Sequence, residues 1–307
     1  MEIFLQQLIN GLVQGSVYAL VALGYTMVYG ILGLINFAHG EVVMVGAMVA
    51  LMSINAMLGS AFPPAIILPV ALFAAIFACM LLGYSIERIA YRPLRHAPRL
   101  APLITAIGVS IVLQTLAMII WGREYHAFPQ LFPNQSHNFG GAVINDVQLA
   151  IIIIALLVMS MLMLLVHRTR LGRAMRAVAE NQSAAILMGI NINQVISITF
   201  MLGSALAAIA GIMVSANYGV VHYYMGFMLG LKAFTAAVLG GIGNLRGAML
   251  GGVLLGLIES LGAGYIGTLT GGFMGSNYQD AFAFLVLIGV LIFRPSGLLG
   301  ERVADRA

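Results

Sequence analysis

Residues 15–41 read GSVYALVALGYTMVYGILGLINFAHGE. An apolar run from about residue 5 to residue 32 carries no charge, then breaks at Gly33 and Asn36 and resumes beyond Glu41. A run of that length crosses a bilayer as a helix, because about 20 residues at 1.5 Å rise span the hydrocarbon core. The chain starts MEIFLQQ, without the positive segment of a secretory leader, and the run is too long for a leader's apolar core. It reads as a retained helix.

The same pattern recurs along all 307 residues. Hydrophobic residues make up 61% and charged residues 8%, and the mean hydropathy is +1.02. Too few polar residues remain to cover a water-soluble surface. Apolar segments fall at roughly 5–32, 41–58, 64–84, 100–121, 147–166, 192–215, 227–242, 248–263 and 280–294. The expected fold class is an all-α integral membrane protein. It is a polytopic bundle of about eight or nine hydrophobic helical segments, some short or broken, forming a single transmembrane domain over residues 1–307. The pair 227–242 and 248–263, split by GGIGNLRG at 240–247, reads either as two short crossings or as a re-entrant pair.

Charge sets the orientation. Four arginines lie in 85–99, four in 167–176, and Arg294, Arg302 and Arg306 near the C-terminus. Cytoplasmic loops collect Arg and Lys, so these regions are expected inside, with a cytoplasmic tail at 295–307. No Lys or Arg precedes Arg88, which places the N-terminus outside and requires an odd number of crossings. The external loops then fall at 122–146, 216–226 and 264–279. In or beside them lie Trp121, Tyr125, Phe128, Phe132, Tyr218, Tyr223, Tyr224 and Tyr278, an interfacial aromatic pattern. Loop 122–146 is the longest, either a solvated connector or a docking surface. The basic balance is positive-inside charge rather than a nucleic-acid face, since the arginines are not interleaved with aromatics.

Catalytic constellations are absent. There is no phosphate-loop motif, no His/Cys metal spacing and no nucleophile elbow. The single cysteine, Cys79, excludes an intrachain disulfide. Ionisable residues at membrane depth are the exceptions that matter. Glu41, Glu259 and Lys232, the only lysine, qualify, with Lys232 expected to pair with Glu259 or Glu41 or to line a solute route. Asn36, His39 and Asn244 sit at the two helix breaks and join them as pathway or gate candidates. Small residues at four-residue spacing, Gly11/Gly15/Ala19, Gly203/Ala207/Gly211, Gly247/Gly251 and Gly252/Gly256, predict close helix contacts.

The remaining outlier is residues 167–190, HRTRLGRAMRAVAENQSAAILMGI. Ala174, Ala177, Val178, Ala185 and Met188 form a partial helical stripe beneath Arg168, Arg170, Arg173 and Arg176. It reads as a short cytoplasmic amphipathic helix, lying on lipid or inserted in a partner's groove.

The segments 15–41, 87–94 (ERIAYRPL), 172–180 (GRAMRAVAE), 188–191 (MGIN) and 232–252 (KAFTAAVLGGIGNLRGAMLGG) together resemble permease subunits of high-affinity branched-chain amino acid ABC importers, the hydrophobic amino acid uptake family, over nearly the whole length. The resemblance is to the smaller of the two paralogous permeases. It implies a translocation-pore subunit, not an enzyme, in a bacterial inner membrane. The implied partners are a paralogous permease, two cytoplasmic ATPase subunits that carry the ATP and magnesium, and a periplasmic substrate-binding protein. No cofactor is implied for this chain. The resemblance also implies ATPase coupling through residues 168–190, at Arg173, Arg176, Glu180, Ala184, Ala185 and Gly189. The family's coupling motif has the form E-A-A-x3-G. Here Ala184, Ala185 and Gly189 fit, while the glutamate stands at 180 and the downstream proline is missing. The alternatives are an ABC permease for an amide, urea or a sugar, or a proton-coupled secondary transporter using Glu41 and Glu259.

Overall fold

The computed structural model describes residues 2–59, 62–95, 97–98, 100–271 and 278–300. Arg99, Arg302, Arg306 and part of the 264–279 loop fall outside the described residues. The helices are α1 (Glu2–Leu32), α2 (His39–Met57), α3 (Pro64–Ser85), α4 (Leu100–Trp121), α5 (Asp146–Arg168), α6 (Arg170–Glu180), α7 (Gln182–Leu187), α8 (Ile192–Tyr218), α9 (Met225–Gly240), α10 (Leu245–Leu269) and α11 (Gln279–Phe293). A π-helical turn, Ile86–Tyr91, and a 3-10 turn, Arg92–Leu94, continue α3. The strands are β1 (His126–Ala127), β2 (Ser136–Phe139), β3 (Ala142–Asn145) and β4 (Val220–Val221).

Among the described residues seven helices are long and apolar enough to cross a membrane: α1, α2, α3 with its continuation, α4, α5, α8 and α10. The shorter α9 and α11 bring the apolar helices to nine, in line with the segments read from the sequence. One expectation changes. The second member of the 240–247 pair is not short: α10 runs 25 residues, about 37 Å at 1.5 Å per residue, and only α9, with 16, falls below a full span. The first crossing, α1, contains the polar Gln6, Gln7, Asn10 and Gln14, within the 5–32 segment read from the sequence.

Contacts divide the chain into two units. One comprises Met1–Thr26, Asn134–Met159 and Lys232–Ala307, and the other Met27–Pro133 and Ser160–Leu231. In the second unit α2, α3 and α8 pack against one another along small-residue seams. A Cβ on Gly46 would stand 2.6 Å from the Ala208 Cα, and Gly211 faces the Val43 carbonyl across the α2–α8 seam. Hydroxyls on α8 turn back onto their own helix, Thr199 to the Val195 carbonyl at 2.8 Å and Ser215 to the Gly211 carbonyl at 2.7 Å. Such self-satisfaction lets polar residues sit where no water competes. By contrast α4 presents Ile104, Ile107, Ile111, Val112, Ile119 and Ile120 outward, the pattern of a lipid-facing helix. The β1–β4 ladder pairs His126 with Val221 and Ala127 with Val220.

In the first unit α1 and α10 touch through the glycines that the sequence spacing singles out. A Cβ on Gly11 would lie 2.8 Å from the Leu257 Cα, and one on Gly15 2.7 Å from the Val253 Cα. Gly252 and Gly256 in turn abut Ala19 and Gly15. Backbones this close gain dispersion contact that lipid cannot supply. The 122–146 stretch is not a plain connector. It contains β1, and in this unit β2 and β3 form a hairpin through Gly140 and Gly141, both at positive φ. Gln6 on α1 holds that hairpin, donating to the Val143 carbonyl at 3.0 Å and accepting from its amide at 2.8 Å.

The α1–α10 seam makes opposite predictions for two kinds of glycine. Gly15→Leu should lower stability by the overpacking cost of about 1–3 kcal/mol or more, read as a fall in the unfolding midpoint in mild detergent. Gly108→Ala, with nothing within 4 Å of its Cβ, should be neutral or stabilising by about 0.5–1 kcal/mol. Equal behaviour of the two variants would refute the seam.

Candidate functional site

The first break follows α1. Gly33 takes φ +64, a conformation that ends the helix cheaply only without a Cβ. Its amide closes on the Tyr29 carbonyl at 2.7 Å. Asn36 is buried, and its Oδ1 accepts from the Ala38 amide at 3.2 Å and from the Tyr91 hydroxyl at 3.0 Å. His39 and Glu41, both buried, then open α2. Glu41 Oε1 accepts from Gln114 Nε2 at 2.7 Å and from Ser110 Oγ at 3.1 Å. Ser110 and Gln114 lie one turn apart on α4, a polar pair on a mostly apolar helix that sequence reading passed over. Gly226 supplies the room: a Cβ there would stand 2.8 Å from Glu41 Oε2.

The second break joins α9 to α10. Gly241 and Gly243 hold positive φ. Asn244 caps α10, its Oδ1 accepting from the Gly247 amide at 3.1 Å. The last carbonyls of α9 are orphaned in principle, and residues 294–300 satisfy them. The Leu298 amide donates to Leu239 and the Leu299 amide to Gly240, each at 2.9 Å, while Asn244 Nδ2 donates to the Leu299 carbonyl at 2.9 Å. Thus Asn36 and Asn244, grouped by the sequence as pathway candidates, both have their side chains committed to closing helix breaks.

Of the two partners expected for Lys232, the structure gives Glu259. The ammonium lies 2.6 Å from Glu259 Oε1, and Asp280 Oδ1 forms a second ion pair at 2.8 Å. Tyr18 donates its hydroxyl to Glu259 Oε2 at 2.9 Å and turns its ring toward Nζ, 5.9 Å from the centroid. Lys232 is 15% exposed, Glu259 2% and Asp280 32% by side chain, so the cluster grades from buried to accessible. Asp280 was missed because it sits in the first turn of α11, where an acidic residue reads as a helix-start signal.

A further buried charge also escaped the sequence reading. Glu87, on the π-helical turn, is 0% exposed. Its Oε1 pairs with Arg95 and its Oε2 accepts from Ser197 Oγ at 2.6 Å. Beyond the end of the α3 span, burial draws the Arg95 guanidinium below its ordinary value and Glu87 opposes that shift.

The basic segment is two helices, not one. Thr169 caps α6 by accepting from the Gly172 amide at 3.0 Å, Asn181 caps α7 through the Ala184 amide at 3.0 Å, and Asn191 caps α8 through the Gln194 amide at 3.2 Å. Gly189, at φ +77, makes the turn into α8. Gly172, Met175, Val178 and Ala185 form the buried stripe. The expected stripe is corrected accordingly: Ala174 and Ala177 are only half-buried, and Met188 is 82% exposed beside Leu187 at 88%. The break at Asn181 separates the buried residues of α6 from Ala185 on α7. Arg173, Arg176, Glu180, Ala184 and Gly189 are exposed, and Ala185 is buried.

A multi-pass helical bundle with glycine seams, broken helices and buried charge is the architecture of a membrane transport protein. The chain belongs to the family described as branched-chain amino acid transport system / permease component, whose model matches residues 7–291. It is 50% identical to the high-affinity branched-chain amino acid transport system permease protein BraD of Pseudomonas aeruginosa, over 99% of this chain and 98% of that one. It is 47% identical to the corresponding permease protein LivH of Escherichia coli K12, over 99% and 97%. It is 33% identical to the autoinducer 2 import system permease protein LsrC of Klebsiella pneumoniae, over 62% and 54%. No solved structure matches the chain.

Removing one member of the Lys232 cluster should cost more than removing two. Lys232→Met leaves Glu259 without its counter-charge, at about 3–5 kcal/mol. Lys232→Met combined with Glu259→Gln should recover most of that. Thermal unfolding of the purified variants measures both, and a fully stable Lys232→Met would contradict a structural ion pair.

Proposed function

We propose that this chain is a translocation subunit of an ATP-driven importer for branched-chain and other hydrophobic amino acids in the bacterial cytoplasmic membrane. The supporting observation is the 50% identity to BraD across 99% of the chain, together with a family match spanning 7–291. In this reading residues 1–307 work as one permease domain beside a paralogous permease. Two cytoplasmic ATPases supply the energy and a periplasmic binding protein delivers the cargo. ATP and magnesium stay on the ATPases.

The α6–α7 segment is the coupling element. Ile186, Leu187 and Met188 form an exposed apolar tip, and Arg173, Arg176 and Glu180 form a charged flank. A tip of that kind fits a groove on a soluble partner better than it fits water. ATPase closure would displace it and drive a two-state tilt of the bundle. His39, Glu41, Lys232 and Glu259 are the ionisable groups whose environments such a tilt would alter, with Asn36 and Asn244 at the hinges. The chain runs from an outside N-terminus to a cytoplasmic C-terminus. The likeness to LsrC carries a second reading, import of another small polar solute, and the lower identity over a shorter stretch weighs against it.

Uptake of labelled leucine by the complex reconstituted with its partner subunits should require ATP and the binding protein. Excess isoleucine or valine should compete, and ribose, urea or short amides should not. ATP-independent uptake driven by a pH gradient would instead establish a secondary transporter. Leu187→Asp, at a highly exposed position, should lose the ATPases on co-purification while leaving the permease folded; their retention would put the coupling surface elsewhere. For orientation, a cysteine at His137 in a Cys79→Ser background should react with an impermeant maleimide in intact spheroplasts. One at Arg176 should react only after permeabilisation, and the reverse pattern would invert the topology.

A further inference from the structure

We propose that Glu87 is a positioning residue of the transport cycle, tying the first two turns of α8 to the α1–α2 break through the π-helical turn. The inference rests on α6–α7 being the coupling element.

The ties form a continuous path within one unit. Asn193 and Ser197 lie one turn apart on α8. Ser197 Oγ donates to Glu87 Oε2 at 2.6 Å, and Arg95 Nη1 donates to Asn193 Oδ1 at 2.6 Å. Arg95 also pairs with Glu87, so the acid and the cation each hold α8 and each other. Four residues beyond Glu87, Tyr91 is 1% exposed and its hydroxyl donates to Asn36 Oδ1 at 3.0 Å, in the middle of the break. Its ring packs on Phe200 of α8, centroids 5.3 Å apart. The π-helical turn carries Glu87 toward the start of α8 and Tyr91 toward Asn36. Single π turns inside α-helices concentrate where geometry serves function.

A second tie reaches the same break from the other side. Gln182, in the first turn of α7, donates to the Ile31 carbonyl in the last turn of α1 at 3.2 Å. Both α6 and α7 also pack on α8. The α6–α7 segment therefore holds the α1 end directly and the Asn36 end through α8, Glu87 and Tyr91. A push on α6–α7 moves both ends of residues 32–38, and with them the start of α2 at His39 and Glu41.

A fully buried carboxylate is a poor way merely to glue helices, because an apolar contact of equal volume does as well. What the charge adds is direction: an ion pair with two committed oxygens fixes one register between α8 and the π turn and penalises slippage. Packing alone would let α8 slide and dissipate the displacement.

Ser197 offers the test that spares folding, since Ser197→Ala removes the direct bond from α8 to Glu87 and leaves the Arg95–Glu87 pair and the Arg95–Asn193 contact intact. In the complete reconstituted complex, Ser197→Ala should assemble with its ATPases and hydrolyse ATP at the wild-type basal rate. Leucine transported per ATP should fall about tenfold, the shift expected from losing one charge-assisted hydrogen bond. Ser197→Thr, which keeps a hydroxyl, should restore it. Glu87→Gln should uncouple at least as strongly if it assembles, and Ser197 decides the question if it does not. Wild-type cargo per ATP in Ser197→Ala overturns the proposal. So does a parallel fall of uptake and hydrolysis with complex yield, the mark of a purely structural role. A wild-type complex that transports without ATPases overturns the coupling reading as well, and that result is distinct from either of the others.

Discussion

Every interruption of a helix frees backbone groups that need new partners, and the breaks after α1, after α9 and between α5 and α8 are built around that constraint. After α1, Gly33 bends the chain and Asn36 takes up the Ala38 amide. After α9, Asn244 caps the next helix while residues 298 and 299 deliver their amides to the final carbonyls of α9. Between α5 and α8, Thr169, Asn181 and Asn191 cap three successive helices. Asparagine recurs because its short amide reaches its own backbone two or three residues on and can still offer its other atom elsewhere. Asn244 uses that other atom, Nδ2, to hold Leu299, whereas Asn36 takes the Tyr91 hydroxyl on the same Oδ1 that accepts the Ala38 amide. A break made this way is anchored rather than floppy, a joint with defined partners on each side.

The apolar periods and the small-residue spacings were legible in the sequence for a related reason. Lipid removes the usual choice between burying and exposing a helix face, so a run of about 20 apolar residues has one outcome. Glycines four apart have few uses other than close backbone approach, and Gly11, Gly15, Gly252 and Gly256 meet as their spacing requires. The sequence narrowed the partner of Lys232 to Glu259 or Glu41 because so few charges fall at that depth, and the structure gives Glu259.

What stayed hidden depends on neighbours distant in sequence. Glu87 lies among arginines in ERIAYRPLR, where it reads as part of a charged loop. In the structure it lies on the π turn, 0% exposed, with Arg95 and Ser197 as its partners. Ser110 and Gln114 look like stray polar residues until α2 brings Glu41 beside them. Asn181 divides the basic segment because its side chain caps α7 in place of continuing α6, a local competition that the charge pattern does not display. The two-residue β1–β4 ladder joins segments about 90 residues apart and has no periodic signal of its own.

The three buried carboxylates show how one constraint yields three different sites. Glu87 has a full cation and a hydroxyl, so both oxygens are fixed and the geometry is rigid. Glu259 shares Lys232 with Asp280, an acid more than ten times as exposed, so that lysine's outer partner can exchange with water while its inner partner cannot. Glu41 is held on one oxygen by neutral donors alone, with Gly226 against the other. Neutral donors stabilise a carboxylate less than a cation does, so Glu41 is the member whose environment a displacement of α2 changes at least cost. On the proposed coupling, the charges are locked at Glu87 where force would enter, graded across Glu259 and Asp280, and weakly held at Glu41 beside the α1–α2 break.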